Sequence, residues 1–119
     1  MVVAMRVWHR FLNQEPRPDI LEALNRARLL TYACESDSTP DAGIVFFDEV
    51  TDQLRGLLSE TSRRGLKRVL AIRVCPTAIK PAAIWSLLHA GAADVLMWTD
   101  SREPANEVAA RFERWGKNR

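Results

Sequence analysis

Short apolar runs alternate with amphipathic segments along most of this chain. The runs have the length and the apolar character of buried strands, and they fall at residues 2–8, 29–34, 43–47, 68–74 and 94–98. Between the runs, apolar residues recur at helical spacing, which predicts a helix after every strand except the second. This alternation predicts an α/β domain with parallel strands and right-handed helical crossovers.

Proline and glycine mark the ends of the predicted helices. Gly65 and Gly91 are the expected residues just past the second and third helices, because glycine readily adopts the backbone conformation that ends a helix. Pro104 begins the last helix. We therefore expect one domain over residues 1–116 and a polar tail at residues 117–119.

The connection after the second strand is too short for a helix. Only eight residues, 35–42, separate the run at 29–34 from the run at 43–47, and they are polar and include Pro40. Eight extended residues span at most about 26–29 Å, which can return the chain across a sheet but not with a helix inside. Two alternatives follow: the second helix is missing or shortened, or residues 29–34 do not form a parallel strand.

Composition describes a soluble protein of one domain. The chain has 119 residues, of which 47% are hydrophobic and 27% charged, as in ordinary globular proteins. No apolar run reaches the roughly 18 residues of a membrane helix, and the first residues do not resemble a signal peptide, so we expect a cytoplasmic protein. A net charge of +2 is too small to indicate nucleic-acid binding. The basic stretch at residues 63–68 is interpreted as a solvated helix end.

The residues that most often bind metals or carry covalent chemistry are sparse. Cys34 and Cys75 fit neither a disulfide framework nor a metal-site spacing, and both end apolar runs, where a free thiol packs as a small hydrophobe. His9 and His89 have no carboxylate or cysteine at ligand spacing. There is no glycine-rich phosphate loop and no nucleophile elbow. We expect no metal and no cofactor.

Two passages resemble the receiver domain of two-component response regulators. Asp41-Ala-Gly-Ile-Val-Phe-Phe-Asp48 is similar to the third receiver strand, which ends in the aspartate that accepts phosphate. Leu87-Leu-His-Ala-Gly-Ala-Ala-Asp-Val-Leu-Met97 is similar to the passage between the fourth helix and the fifth strand. The resemblance covers about two-thirds of the chain, from Asp41 onward. It implies a flavodoxin-like parallel sheet in the order 2-1-3-4-5 with helices on both faces.

The same resemblance implies four functional positions at the carboxyl ends of the strands, and only one is filled as in a working receiver. Asp48 stands at the phosphoacceptor position. The first strand is expected to end in residues 7–10, where His9 and Arg10 replace an acidic pair that holds magnesium. Arg73 replaces a serine or threonine, and Trp98 replaces a lysine.

These replacements remove the groups that support phosphoryl transfer. Magnesium prefers carboxylate and phosphate oxygens, but Asp48 and Glu49 are adjacent strand-end residues that point to opposite faces. Without metal and lysine, the charge on a transferring phosphoryl group lacks its main stabilisers. Asp48 is therefore a phosphoacceptor, a plain strand-end carboxylate, or the partner of Arg73 in an ion pair that imitates a permanently engaged switch.

Four aromatic residues fall on the face that receivers commonly use for dimer contacts. Trp85, Trp98, Phe112 and Trp115 lie on the predicted fourth helix, fifth strand and fifth helix of the receiver pattern. Tryptophan at such a place is either core or an aromatic anchor of an interface. We expect a homodimer through this face, with core packing as the alternative.

The expected function is that of an atypical, degenerate receiver, a regulatory module and not an enzyme. It would act by protein–protein contact in bacterial signal transduction and transcription regulation, independently of phosphorylation, together with a C-terminal effector domain. We expect no direct contact with DNA or membrane. One alternative is a small-molecule (anion) sensor whose pocket is lined by His9, Arg10, Asp48, Glu49 and Arg73. Another is a receiver that is still phosphorylated on Asp48.

Overall fold

Five parallel strands form a single sheet in the order β2-β1-β3-β4-β5. The computed structural model of the protein describes residues 5–33, 42–63, 69–75, 79–100 and 102–117. The strands are β1 (Met5–Phe11), β2 (Leu29–Ala33), β3 (Gly43–Phe47), β4 (Val69–Arg73) and β5 (Asp94–Met97). The helices are α1 (Pro18–Arg26), α2 (Asp52–Arg63), α3 (Pro81–Ala90) and α4 (Pro104–Lys117), with a 3₁₀ turn at Trp98–Asp100. This is the flavodoxin-like α/β fold, so the predicted fold class and strand order are confirmed.

The second strand is parallel, which decides between the two alternatives left by the sequence. β2 pairs with β1 in parallel register, with Met5 opposite Leu29 and His9 opposite Ala33. The described part of the chain has four helices, one fewer than the receiver pattern. The connection itself, residues 34–41, lies outside the described residues, and so does the predicted helix stop at Gly65.

The first strand runs about three residues further along the chain than predicted. It extends to Phe11, so the polar residues His9 and Arg10 are interior strand positions. His9 is buried and Arg10 half-buried, because a central strand carries side chains into both covered faces. The polar pair interrupts the apolar pattern without ending the strand. Gly91, by contrast, ends α3 with φ 130°, as its sequence position predicts.

Each face of the sheet is covered by two helices. α1 and α4 pack on one face, where Ile20, Leu24, Val108 and Phe112 are fully buried against strand residues such as Ile72. α2 and α3 pack on the other face, and the buried members of that cluster are Trp8, Leu12, Val45, Phe47, Leu54, Leu58, Val69, Ala71, Leu87 and Ala92. β3 and β4 are buried along their whole length, which places the core at the centre of the sheet. No helix in the described ranges is long and apolar enough to cross a membrane.

Trp8 and Gly43 form a close packing contact between β1 and β3. They are register partners on β1 and β3, and the Trp8 amide donates to the Ala42 carbonyl at 3.2 Å. The indole lies directly against Gly43, so that a Cβ at position 43 would overlap the ring carbons Cδ2 and Cε2. Trp8 is 2% exposed. Glycine at this position therefore allows a tryptophan to lie flat on the sheet.

Gly43→Ala is expected to destabilise the protein by about 2–3 kcal/mol, because the added methyl group overlaps a buried indole that has no room to move. Gly56→Ala is the matched control. Gly56 lies inside α2 with open space around it, so alanine should stabilise the helix by about 0.5–1 kcal/mol. Urea unfolding monitored by tryptophan fluorescence measures both changes. Equal effects of the two substitutions would contradict the close packing of Trp8 on Gly43.

Candidate functional site

The carboxyl ends of β1, β3 and β4 meet at one edge of the sheet. Phe11 is the register partner of Phe46, and Phe47 is the partner of Arg73. Two hydrogen bonds continue these ladders past the strand ends, from the Leu12 amide to the Phe46 carbonyl at 2.9 Å and from the Val74 amide to the Phe47 carbonyl at 3.1 Å. We call this place, formed by Asn13, Asp48, Glu49 and Arg73, the carboxyl edge. In folds of this type ligands bind at such an edge, near the point where strand order reverses.

Asp48 is the first residue after β3, where the resemblance places a phosphoacceptor. Its side chain and that of Glu49 are both exposed. Continuing the β1–β3 register places Asn13 alongside Asp48, with a left-handed backbone at φ 58°. The side-chain nitrogen of Asn13, Nδ2, donates a hydrogen bond to Gln53 Oε1 at 3.1 Å. This bond connects the end of β1 to α2. Asn13 therefore stands where the receiver pattern has an acid.

Arg73 binds the backbone of Asp48 and not its carboxylate. Arg73 is the last residue of β4 and is 9% exposed. Its Nε donates to the Asp48 carbonyl oxygen at 2.8 Å. Among the described residues, no ion pair joins Arg73 to the Asp48 carboxylate. The predicted pairing of the two side chains is thus replaced by a bond that fastens the end of β4 to the end of β3.

Arg17, which was not singled out in the sequence, is a further guanidinium group whose charge interacts with that of Asp48. Arg17 is the N-cap residue of α1, and its Nη2 lies 2.8 Å from Asp19 Oδ2. The hydrogen bond with Asp19 raises the pKa of Arg17. The negative charge of Asp19 and, to a smaller extent, that of Asp48 raise this pKa further. The same bond lowers the pKa of Asp19. Because Arg17 forms a bidentate ion pair with Asp19, α1 adds little net charge to the carboxyl edge.

The five residues of the predicted anion pocket do not converge. His9 and Arg10 are register partners of Ile44 and Val45, in the middle of β3, whereas Asp48 lies beyond the end of that strand. Successive strand residues point to opposite faces. His9 therefore lies on the face covered by α1 and α4, while Arg10 lies on the face covered by α2 and α3.

His9 is a buried polar residue with an unsatisfied ring nitrogen. It is 9% exposed, and within the described part of the chain its Nδ1 is buried with no hydrogen-bond partner. The ring packs edge-on against Phe11, with centroids 5.8 Å apart, and Phe11 stacks on Phe46 at 4.5 Å. Burial lowers the pKa of His9, which favours its neutral form.

The four predicted interface residues have different surroundings. Phe112 is 1% exposed and belongs to the core. Trp115 packs against it edge-on at 5.2 Å and is half-buried, and Trp98, just after β5, is half-buried against the same cluster. Trp85, on α3, is 65% exposed. Of the four, Trp85 alone presents most of its side chain to solvent.

An apolar cavity lies between α3, β5 and α4. Its volume is about 390 Å³, and it is lined by Ile72, Ile84, Val95, Leu96, Met97, Trp98, Pro104, Glu107 and Val108. β5 is an edge strand whose four residues are all half-buried. We call residues 94–98 together with this cavity the β5 face, which combines a strand edge with an apolar cavity. The exposed Trp85 directly follows Ile84, a lining residue, on α3.

No protein-family model matches the chain, and no curated protein matches it. Among the described residues, no group of three His, Cys, Asp or Glu side chains is placed to hold a metal ion.

Arg73→Met is expected to destabilise the protein by about 1–3 kcal/mol, because it keeps the apolar stem but removes the charged donor to the Asp48 carbonyl. Asp48→Asn should change stability by less than about 0.5 kcal/mol, because the carboxylate is exposed and the bond is to the backbone. Arg55→Met, which breaks a surface ion pair with Asp52, is the control for loss of an arginine. Urea unfolding measures all three. A loss in Asp48→Asn as large as that in Arg73→Met would show that the carboxylate carries the contact.

Proposed function

We propose that this domain is an atypical receiver that regulates by protein–protein contact and does not require phosphorylation. The observation that carries the proposal is the bond from Arg73 to the Asp48 carbonyl. It places a guanidinium group where the receiver pattern has a small hydroxyl side chain, directly beside the only residue that matches that pattern at this edge. The flavodoxin-like fold is consistent with a receiver.

The described side chains at the carboxyl edge are not arranged as a set of ligands for a divalent cation. Magnesium needs several oxygen ligands at about 2.0–2.1 Å in near-octahedral geometry. Near Asp48 the side-chain amide of Asn13 is already bonded to Gln53, and Arg73 places a guanidinium group against the Asp48 backbone. Like charges at short range repel the cation that would neutralise an incoming phosphoryl group. These features favour a domain that keeps the receiver fold without its chemistry.

The same bond supports a domain with one persistent surface. Regulation by phosphorylation requires two arrangements of the site, with the modification favouring one of them. Arg73 is buried and bonded across two strand ends, which restricts movement of β4 relative to β3. A surface held in one arrangement suits constitutive contact with a partner. The expected partners are a second copy of the domain and a C-terminal effector domain.

The β5 face is the proposed site of that contact. Interfaces are commonly anchored by a tryptophan at the centre of a packed apolar patch. Trp85 is 65% exposed, and the neighbouring cavity of about 390 Å³ has mostly apolar walls. A two-fold related copy would place Trp85 of each protomer against the β5 face of the other. The proposed dimer would thereby cover both apolar features.

Incubation with acetyl phosphate and magnesium is expected to leave the intact mass of the protein unchanged, because the edge lacks the groups that stabilise the transferring phosphoryl group. Intact-mass spectrometry checks this, with a working receiver domain treated in parallel as a positive control. Sizing chromatography with beryllofluoride and magnesium should show an unchanged elution position. A phosphoryl adduct that disappears in Asp48→Ala would instead identify Asp48 as a working acceptor.

Trp85→Glu is expected to weaken self-association by at least about thirtyfold, since loss of one central tryptophan anchor costs about 2 kcal/mol or more and a two-fold dimer loses two. Sedimentation velocity over a range of concentrations measures the dimer dissociation constant. Leu30→Glu is the matched control, because Leu30 is also an exposed large apolar residue but lies on β2 at the opposite edge of the sheet. A wild-type protein that stays monomeric at every concentration, or equal effects of the two substitutions, would rule out the β5 face.

A further inference from the structure

The apolar cavity of the β5 face extends around the outer edge of β5. Alternation along the strand places Val95 and Met97 on the face of the sheet covered by α2 and α3, and Leu96 on the face covered by α1 and α4. Residues from both faces line the cavity, together with Ile84 of α3 and Val108 of α4. The cavity is therefore a groove along the edge of the sheet, with one helix on each side.

This groove leaves part of the apolar surface of β5 uncovered. Residues 95–98 are four successive apolar residues, yet each of them is only half-buried. β3 and β4, by contrast, are buried at every position. Ile84, the lining residue on α3, is also half-buried. The volume of about 390 Å³ is that of a small-molecule site, and such sites typically combine apolar walls with a few polar groups.

Glu107 is the charged side chain among the described residues that line the groove. It lies on α4, and its side chain is 54% exposed. Within the described ranges its ion pair is with Arg111, whose Nη2 lies 3.9 Å from Glu107 Oε1, close to the outer limit for such a pair. Arg111 is bound more closely elsewhere, because its Nη1 donates to Asp94 Oδ2. The Glu107 carboxylate therefore retains the capacity to bind a second cation.

The chemistry of the lining narrows the class of ligand. An anion would meet the Glu107 carboxylate, and the described lining contains neither lysine nor arginine. A metal ion would meet a single carboxylate, and in the described part of the chain no group of three His, Cys, Asp or Glu side chains is placed to hold one. Trp98 adds an aromatic ring to the wall, and ammonium groups are attracted to such rings as well as to carboxylates. An apolar body that carries an ammonium group matches both the walls and the carboxylate.

We propose that the groove along β5 binds a small organic amine with an apolar body, and that the ammonium group of this ligand pairs with Glu107 at the rim. The site goes beyond the proposed receiver-like function and does not depend on it. Because the proposed dimer covers the same cavity, the amine and the second copy would exclude each other, and this consequence alone rests on the proposed function.

The test compares 2-phenylethylamine with 2-phenylethanol, which has the same apolar body but no charge. It uses the ¹⁵N-labelled 119-residue chain with Trp85→Ser, because Trp85 does not line the cavity and its loss removes the anchor of the proposed dimer. The amine should shift the amide signals of residues 95–98 and 107–108 in a saturable way, with a dissociation constant on the order of 1 mM. 2-Phenylethanol should bind about fivefold more weakly, because it lacks the charge pair with Glu107.

Two further variants of the same chain complete the test. Glu107→Gln keeps the size of the side chain but removes its charge, so the amine should bind no better than 2-phenylethanol. Glu113→Gln is the matched control, because it removes the same charge from an exposed position of α4 outside the cavity lining, and the fivefold preference should persist.

The proposal would be overturned by equal binding of the amine and the alcohol before Glu107 is changed, or by a preference for the amine that survives Glu107→Gln. Saturable shifts confined to other regions, or no shifts up to the solubility limit, would overturn it as well. Self-association is measured separately on the wild-type protein, so failure of the dimer and failure of the amine site are distinguishable.

Discussion

A parallel sheet must be covered on both faces, and that constraint explains the contact between Trp8 and Gly43. α1 and α4 cover one face, and α2 and α3, which follow β3 and β4, cover the other. Trp8 of β1 extends the second cluster by lying flat on Gly43, the first residue of β3. The indole of Trp8 fills the space that a side chain at Gly43 would otherwise occupy. The large residue on β1 and the glycine on β3 therefore pack without a gap.

That packing also fixes the register, and the register determines the chemistry at the carboxyl edge. With Trp8 opposite Gly43, β1 reaches the level of Asp48 at Asn13, which is not acidic. The β3–β4 register places Arg73 opposite Phe47, close enough to bond the next carbonyl along the chain. A shift of one residue in either pair would move every side chain to the other face. The character of the edge is therefore a consequence of core packing.

The sequence predicted those parts of the fold in which one physical signal dominates. The run at 43–47 is apolar at nearly every position, so strand β3 and its bounds were evident, and Gly91 marked the end of α3. β1 was displaced in the prediction because His9 and Arg10 interrupt its apolar pattern, and burial of a polar residue depends on neighbours that a sequence does not show. The site was predictable in its residue types and not in its contacts. Arginine beside aspartate indicated a carboxylate pair, whereas the acceptor is the backbone carbonyl of Asp48, which any residue would provide.

Helix α1 joins the carboxyl edge to the edge strand β2. Its N-cap is Arg17, whose charge interacts with that of Asp48, and its buried residues Ile20 and Leu24 belong to the same cluster as Leu29 of β2. A helix of nine residues is a short rigid element, so movement at one end moves the other. A partner that displaces α1 would therefore alter the charge near Asp48 without any phosphoryl transfer. Because Arg73 fastens the ends of β3 and β4 together, an input to this domain would act through a helix such as α1 and not through those strand ends.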